Sequence, residues 1–259
     1  MAGRVRVERE GGLGWLIFDH ESRRNAITSQ MWQDIPPAAK ELDEDPEVRV
    51  VLLRGAGEVA FVSGADISEF ESLRSGDAAR SYDQGNARAF TALASISKPV
   101  IALIHGFCVG GGCAISLTAD FRYAADDAVF AIPAARLGLG YPAGGLETLV
   151  RTVGLPAAKE IFLTARRFRA PDALRLGLVN EVLPKAELEP YVRGVAKDLS
   201  ANAPLTLRAA KRILNELGRS GPRDEAGWAA AIDACYASED YAEGVRAFLE
   251  KRPPEFRGR

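Results

Sequence analysis

Two glycine-bearing turns concentrate the chemistry in this sequence. One is FVSGADISEF (61–70), following the strand-like AFV. The other is HGFCVGGGCA (105–114), in which three consecutive glycines precede a run that reads as the first turns of a buried helix. Glycine leaves main-chain N–H groups unobstructed, and at a helix start those groups sit at the positive end of the helix dipole. Such a turn suits an anion, either a bound phosphate or negative charge that develops on a substrate oxygen. The phosphate motifs do not match, because HGFCVGGGCA lacks the lysine of G-x-x-x-x-G-K-[ST] and the spacing of G-x-G-x-x-G. Two separated N–H donors, one from each turn, can instead form an oxyanion hole for a thioester carbonyl. The alternative for the glycines is close packing of a helix on a strand.

Other reactive side chains are sparse. The two histidines, His20 and His105, have no spaced carboxylate pair around them, so no metal site is expected. His105 reads as a satisfied core histidine on a central strand and His20 as a surface residue. Cys108, Cys113 and Cys235 are odd in number and fit neither a disulfide framework nor a C-x-x-C pair, which favours buried reduced thiols. Cys113 could act as a nucleophile only if its pKa were lowered, and no histidine is placed by motif to do that. Glu147, after Gly144-Gly145, reads as a helix cap before it reads as a base. Glu69 sits in a loop from which it could swing toward substrate or solvent, and Asp66 reads as a loop organiser.

The elements that must hold these groups follow from periodicity. Val5 and Val7 alternate with charged residues, WLIFD (15–19) is a buried run and RVVLLRG (49–55) ends on glycine, all strand-like. Thr28 is a plausible N-cap for a helix to about Leu42, in which Pro36 and Pro37 are expected to force a kink or a split. A second helix fits 78–96, and KPVIALI (98–104) reads as a central strand. FRYAA (121–125) and AVFAI (128–132) look like two short strands around Asp126-Asp127. Beyond residue 144 the pattern is helical, interrupted by strand-like LVNEVLP (178–184), with later helices near 204–218, 224–237 and 240–251. An α/β core over 1–200 is therefore expected to carry a helical C-terminal region over 201–259.

With 47% hydrophobic and 26% charged residues among 259, the chain has an ordinary globular balance. A net charge of −2 leaves no basic excess to hold a nucleic-acid backbone. The N-terminus lacks an apolar signal core, and the longest apolar stretch is broken by His105 and glycines. A soluble cytoplasmic protein without membrane or nucleic-acid partners is expected.

Taken together in order, RNAIT (24–28), SGADISEF (63–70), KPVIALIHGFCVGGGCAISLTAD (98–120), RLGLGYPAGG (136–145), ARRFRAPDALRLGLVNEVLP (165–184) and EGVRAFLEKRPPEF (243–256) resemble the crotonase, or enoyl-CoA hydratase/isomerase, superfamily over nearly the whole length. The resemblance implies a spiral of ββα units with a helical C-terminal trimerisation region, assembled as a homotrimer or dimer of trimers. It places the oxyanion-hole N–H groups at Ala65 and Gly111. It puts Ala65, Asp66, Ile67 and Ser68 along the CoA pocket, Arg24 and Ala26 in the turn near the CoA phosphates, and Phe248 and Lys251 at C-terminal CoA contacts. The alternative for Lys251 is a solvated helix charge. No cofactor is implied beyond the coenzyme A of an acyl-CoA substrate.

The pattern departs from the family at two points. Its hydratases carry one glutamate directly after G-G-G-C and another after the proline of the next strand-to-helix loop, and these positions are Ala114 and Ala134 here. A methyl group moves no proton, and each missing acid or base costs on the order of 10²–10⁴ in rate. Tyr141 lies in the loop that lines the acyl end in the family. It aligns with a tyrosine of the methylmalonyl-CoA decarboxylase branch, whose histidine in the G-x-D loop is Ala65 here. The alternative is a pocket wall with a hydrogen-bonded hydroxyl. The expected function is an acyl-CoA lyase or isomerase using the oxyanion hole, with Tyr141 and Glu147 as replacement candidates. A low-activity enoyl-CoA hydratase/isomerase, an acyl-CoA decarboxylase and an inactive thioester binder are the alternatives.

Overall fold

The structure, a computed structural model, describes residues 2–69, 76–219 and 221–259. Phe70, the last residue of the first glycine-bearing turn, lies outside the described residues. Strands β1 (Arg4–Glu10) and β2 (Leu13–Asp19) form an antiparallel hairpin, followed by β3 (Val50–Gly55), β5 (Val100–Ile104), β7 (Phe121–Ala125) and β10 (Glu181–Leu183). They make a six-stranded sheet in the order β1-β2-β3-β5-β7-β10, parallel from β2 onward. Alternation along β2 sends Leu16 and Phe18 into one core and Trp15 and Ile17 into the other. Val100–Ile104 is buried at every position, as its unbroken apolar run requires of a strand covered on both faces.

A smaller sheet, β4 (Ala60–Val62), β6 (Phe107–Val109), β8 (Val129–Ala131) and β9 (Phe168–Arg169), runs in the order β4-β6-β8-β9. Three times the chain leaves the large sheet and enters the small one within a few residues, at β3–β4, β5–β6 and β7–β8. That recurrence generates the spiral of ββα units. The corner at Gly106 has φ +54, and a Cβ there would overlap the Val59 carbonyl oxygen, so only glycine fits. FRYAA and AVFAI are both strands, as expected, but each pairs within a different sheet, and the Asp126-Asp127 turn is one of these crossings. Asp127 accepts from Gly106 N–H at 3.0 Å and pairs with Lys185 at 2.8 Å, which fixes the crossing to its neighbours.

The α-helices among the described residues are α1 (Ser29–Glu44), α2 (Gly76–Ala94), α3 (Gly111–Ser116), α4 (Ala143–Thr164), α5 (Ala170–Arg175), α6 (Lys185–Ser200), α7 (Pro204–Leu217), α8 (Glu225–Tyr236) and α9 (Glu239–Glu250). Thr28 caps α1 by accepting from Met31 N–H at 3.2 Å. Of the kink or split expected at Pro36-Pro37, the split does not occur. α1 runs through both prolines because Met31, Trp32, Ile35, Ala38, Ala39 and Leu42 are all buried, and that burial outweighs the lost N–H donors. The break comes instead at Gly154 (φ 76), which divides α4 into two helical segments. No helix among the described residues is long and apolar enough to cross a membrane.

Candidate active site

Main-chain pairing aims the first donor. Ile27 N–H donates to Gly64 O at 2.8 Å and Asp66 N–H donates to Ile27 O at 2.8 Å. In this parallel bridge the residue between the two partners, Ala65, points its own N–H away from Ile27. On the other side, Gly110 takes φ 53 at the start of α3 while its N–H donates to Ala131 O at 2.8 Å. Gly111 opens α3, where N–H groups have no acceptor within the helix. A Cβ placed on Gly111 would lie 3.7 Å from Ala65 N and 3.3 Å from Trp32 Cζ2, so the two N–H-bearing residues adjoin.

The three glycines therefore have separate tasks. Gly110 adopts a positive φ of 53 with ψ −111, Gly111 clears the space beside Ala65 and Trp32, and a Cβ on Gly112 would overlap the Val62 carbonyl oxygen at the end of β4. The close-packing reading of this motif holds at Gly112.

The paired loops open onto a cavity of about 1260 Å³. Ala114, Ala134, Trp32, Phe90, Leu139 and Tyr141 form part of its wall. Both positions expected to lack carboxylates thus present methyl groups to one space. The Tyr141 ring packs edge-on against Phe162, with centroids 5.0 Å apart. Gly145 makes room for it, since a Cβ there would sit 2.7 Å from Tyr141 Cε1. Burial, with a smaller contribution from nearby Cys113, pushes the Tyr141 phenol up to about 12, so the group remains a neutral hydrogen-bond donor at ordinary pH.

Glu147 also faces the cavity but is exposed and lies beyond the first turn of α4, which has no side-chain cap. The cap reading is corrected accordingly. Cys108 and Cys113 are buried free thiols. Burial holds Cys108 well above the usual thiol range, and Cys113 Sγ donates to Cys108 O at 2.9 Å. No group of three or more His, Cys, Asp or Glu side chains placed to hold a metal occurs among the described residues.

The loop beyond Ala65 is ordered by its own side chains. Asp66 accepts from Ser68 N–H at 3.0 Å and from Ser68 Oγ at 2.7 Å. Burial alone would raise the Asp66 carboxyl, but the Ser68 bonds bring it below its ordinary value. Ile67 is exposed on the cavity rim. Glu69 does not swing free: its carboxylate accepts from Ser29 N–H at 2.7 Å, capping α1 from forty residues away.

Arg24 has left-handed backbone (φ 52) and stacks its guanidinium 4.8 Å from the Phe107 ring centroid. Ala26 is buried, and its carbonyl accepts from His20 Nδ1 at 2.9 Å. His20 is therefore buried in the turn rather than on the surface. His105 is buried as expected, but its Nε2 meets no partner, which corrects the reading of a satisfied core histidine. Its pKa is lowered by burial and, secondarily, by Arg54. Phe248 is 83% exposed and Lys251 forms the left-handed C-cap of α9; neither lines this cavity within one chain.

Two features escaped sequence reasoning. Asn25 donates to Ala56 O at 2.9 Å and Ala60 O at 2.7 Å, and accepts from His20 N–H at 3.0 Å, clasping the Arg24 turn to β4. The only sequence signal was an asparagine in a turn, where left-handed backbone is tolerated. Trp32 packs on Phe90 with centroids 5.3 Å apart and donates through Nε1 to Tyr82 Oη at 3.1 Å, a wall assembled from two helices.

The family profile described as enoyl-CoA hydratase/isomerase matches residues 8–259. The chain is 34% identical over 256 residues to the short-chain-enoyl-CoA hydratase of Clostridium acetobutylicum, covering 97% of this chain and 96% of that protein. It is 33% identical over 265 residues to the carnitinyl-CoA dehydratase of Escherichia coli, covering the whole of both. The crystal structure of enoyl-CoA hydratase from Bacillus anthracis superposes with a TM-score of 0.89 at 30% identity, covering 99% of this chain and 100% of that one. With its recurrent sheet crossings and paired loops, the chain belongs to the enoyl-CoA hydratase/isomerase, or crotonase, family.

Proposed function

We propose that this protein binds an acyl-CoA thioester with the carbonyl oxygen between Ala65 N–H and Gly111 N–H and transforms it through an enolate or oxyanion, without the paired glutamates. The observation that carries the reading is the approach of Gly111 to Ala65 N at the cavity wall. Two fixed main-chain donors stabilise charge on oxygen without reorganising during reaction.

Ala114 and Ala134 cannot activate a water, so hydration of a conjugated thioester is slow in this reading. Tyr141, held neutral by burial, supplies a hydrogen bond or a proton on the acyl side. Glu147 is the remaining, outer candidate. Loss of CO2 from a malonyl-type thioester suits this equipment. The bond between Cα and the carboxylate breaks, its electron pair forms the enolate, and a proton from Tyr141 or solvent returns to Cα, so no general base is consumed. The methyl-lined wall also supports a second reading, a thioester binder without turnover.

The CoA moiety is assigned to Arg24, Ala26 and Ala65–Ser68, with no other cofactor, in a cytoplasmic homotrimer or dimer of trimers. The exposed Tyr236, Tyr241, Val245, Phe248 and Leu249 on α8 and α9 support association through this region, where Phe248 and Lys251 would serve a neighbouring site.

A panel of enoyl-, malonyl-type and β-keto-acyl-CoAs, incubated with the protein and resolved by mass spectrometry, tests the reading. Turnover of a malonyl-type thioester with little hydration of crotonyl-CoA is the expected result. Rapid crotonyl-CoA hydration would remove the proposed role of the two alanines. Binding without any product would favour the binder.

A further inference from the structure

Gly111, Ala114, Leu117 and Thr118 stand at i, i+3, i+6 and i+7 along α3 and the turn after it, so they share one face, and all four line the cavity. At 1.5 Å per residue, Leu117 lies roughly 9 Å from Gly111 along that face. Past it the chain turns into β7, where Arg122 lines the same cavity. Between the two ends α7 adds an aliphatic strip of Leu207, Ala210 and Leu214. The wall that begins at the proposed carbonyl position therefore ends at a cation.

Arg122 is half-buried, and burial of its guanidinium lowers the pKa. Nε donates to Leu178 O at 2.9 Å and Nη1 to Ala119 O at 2.7 Å, both neutral acceptors. Nη2 makes no hydrogen bond yet, unlike Asn86 Oδ1 and His105 Nε2, is not sealed off. Among the described residues no carboxylate forms an ion pair with Arg122. Asp120, whose charge it senses, accepts through Oδ2 from Val100 N–H at 2.7 Å and from Lys211 Nζ at 2.7 Å. The other acids on the lining, Asp83 and Glu147, are exposed, and Glu147 stands one helical turn from Arg151 on α4. A part-buried cation with free donors and no counter-ion gains most from a ligand that brings a carboxylate. We propose that Arg122 receives the terminal carboxylate of an ω-carboxyacyl-CoA, the half-thioester of a dicarboxylic acid of about eight to twelve carbons, the length needed to pass along α3. The inference rests on the acyl-CoA reading of the cavity. It names a specificity-determining residue remote from the oxyanion hole and independent of the reaction type.

The test is made by calorimetric titration of the intact protein with decanoyl-CoA and with the CoA half-thioester of decanedioic acid. The ω-carboxylate is expected to tighten binding about ten- to hundred-fold, the range of hydrogen bonds to a charged group. Butyryl-CoA and succinyl-CoA, too short to reach Arg122, should bind alike. Arg122→Gln should collapse the difference between the two long thioesters. Equal affinity of the unmodified protein for the long pair overturns the inference even if the variant does not fold. A preference that survives in folded Arg122→Gln, or in Arg122→Met, also overturns it, as does one equally large for the short pair. Failure of every thioester to bind overturns the acyl-CoA reading itself, a result distinct from binding without discrimination.

Discussion

Ala65 and Gly111 present their main chain from loops tied down on several sides, whereas Ala114, Ala134, Tyr141 and Asn86 contribute side chains to the cavity wall. The first pair depends on backbone conformation: an Ile27 bridge, a positive-φ Gly110 and a glycine lodged against β4. The second set can change identity while the helices and turns that carry it remain. Under the proposed function, activation of carbonyl oxygen would be anchored in the fold, while proton transfer and acyl recognition would be open to replacement. On that reading a chain can match the hydratases along its length with alanine at positions 114 and 134.

The largest expected effect sharpens that contrast from the replaceable side. Ala114→Glu combined with Ala134→Glu should raise crotonyl-CoA hydration by roughly 10³-fold, within the range expected for supplied acid-base groups. No rise in a folded double variant would show that the retained donors are not placed for hydration. Breaking the fixed side comes next. Gly112→Ala must displace α3 from the Val62 carbonyl and should lower unfolding free energy by about 3 kcal/mol, roughly a hundred-fold in the folded-to-unfolded ratio. A denaturant midpoint unchanged from the parent would refute the close packing.

Tyr141→Phe should reduce turnover of whichever thioester the panel identifies by about 10–10²-fold while leaving its binding nearly intact. Unchanged turnover would remove the phenol from the chemistry. The smallest effect is a pH dependence. The folded phenol titrates near 12, above its ordinary 10. Its contribution to stability is thus complete below pH 10 and is lost as pH rises through about 12. Unfolding free energy followed from pH 9 to 12 should fall more in the parent than in Tyr141→Phe, and parallel curves would contradict that assignment.

Much of the frame was legible because it depends on local period and composition. The apolar run at 100–104, the cap at Thr28 and the three C-terminal helices required no long-range information. The two glycine loops read as a pair from their residues, and the family resemblance implied donors at Ala65 and Gly111. What could not be read depends on residues far apart in sequence. Glu69 reaches Ser29, Asn25 reaches Ala56 and Ala60, and Trp32 reaches Tyr82 and Phe90. The small sheet is hard to read for a related reason: strands as short as β8 and β9 carry little signal for which sheet will take them. The helix continues through both prolines of α1 on the strength of a buried face that local geometry does not reveal.

The Ile27 bridge and the Glu69 cap join the Arg24 turn, the Ala65 loop and the first helix into one body. The interval between the turn assigned to the phosphates and the hole assigned to the carbonyl is consequently a fixed gauge. A ligand that spans it is measured along its length before its acyl group is sampled. The same pantetheine arm can then deliver many different acyl chains to one carbonyl position, and the cavity beyond can diversify without recalibrating the ruler.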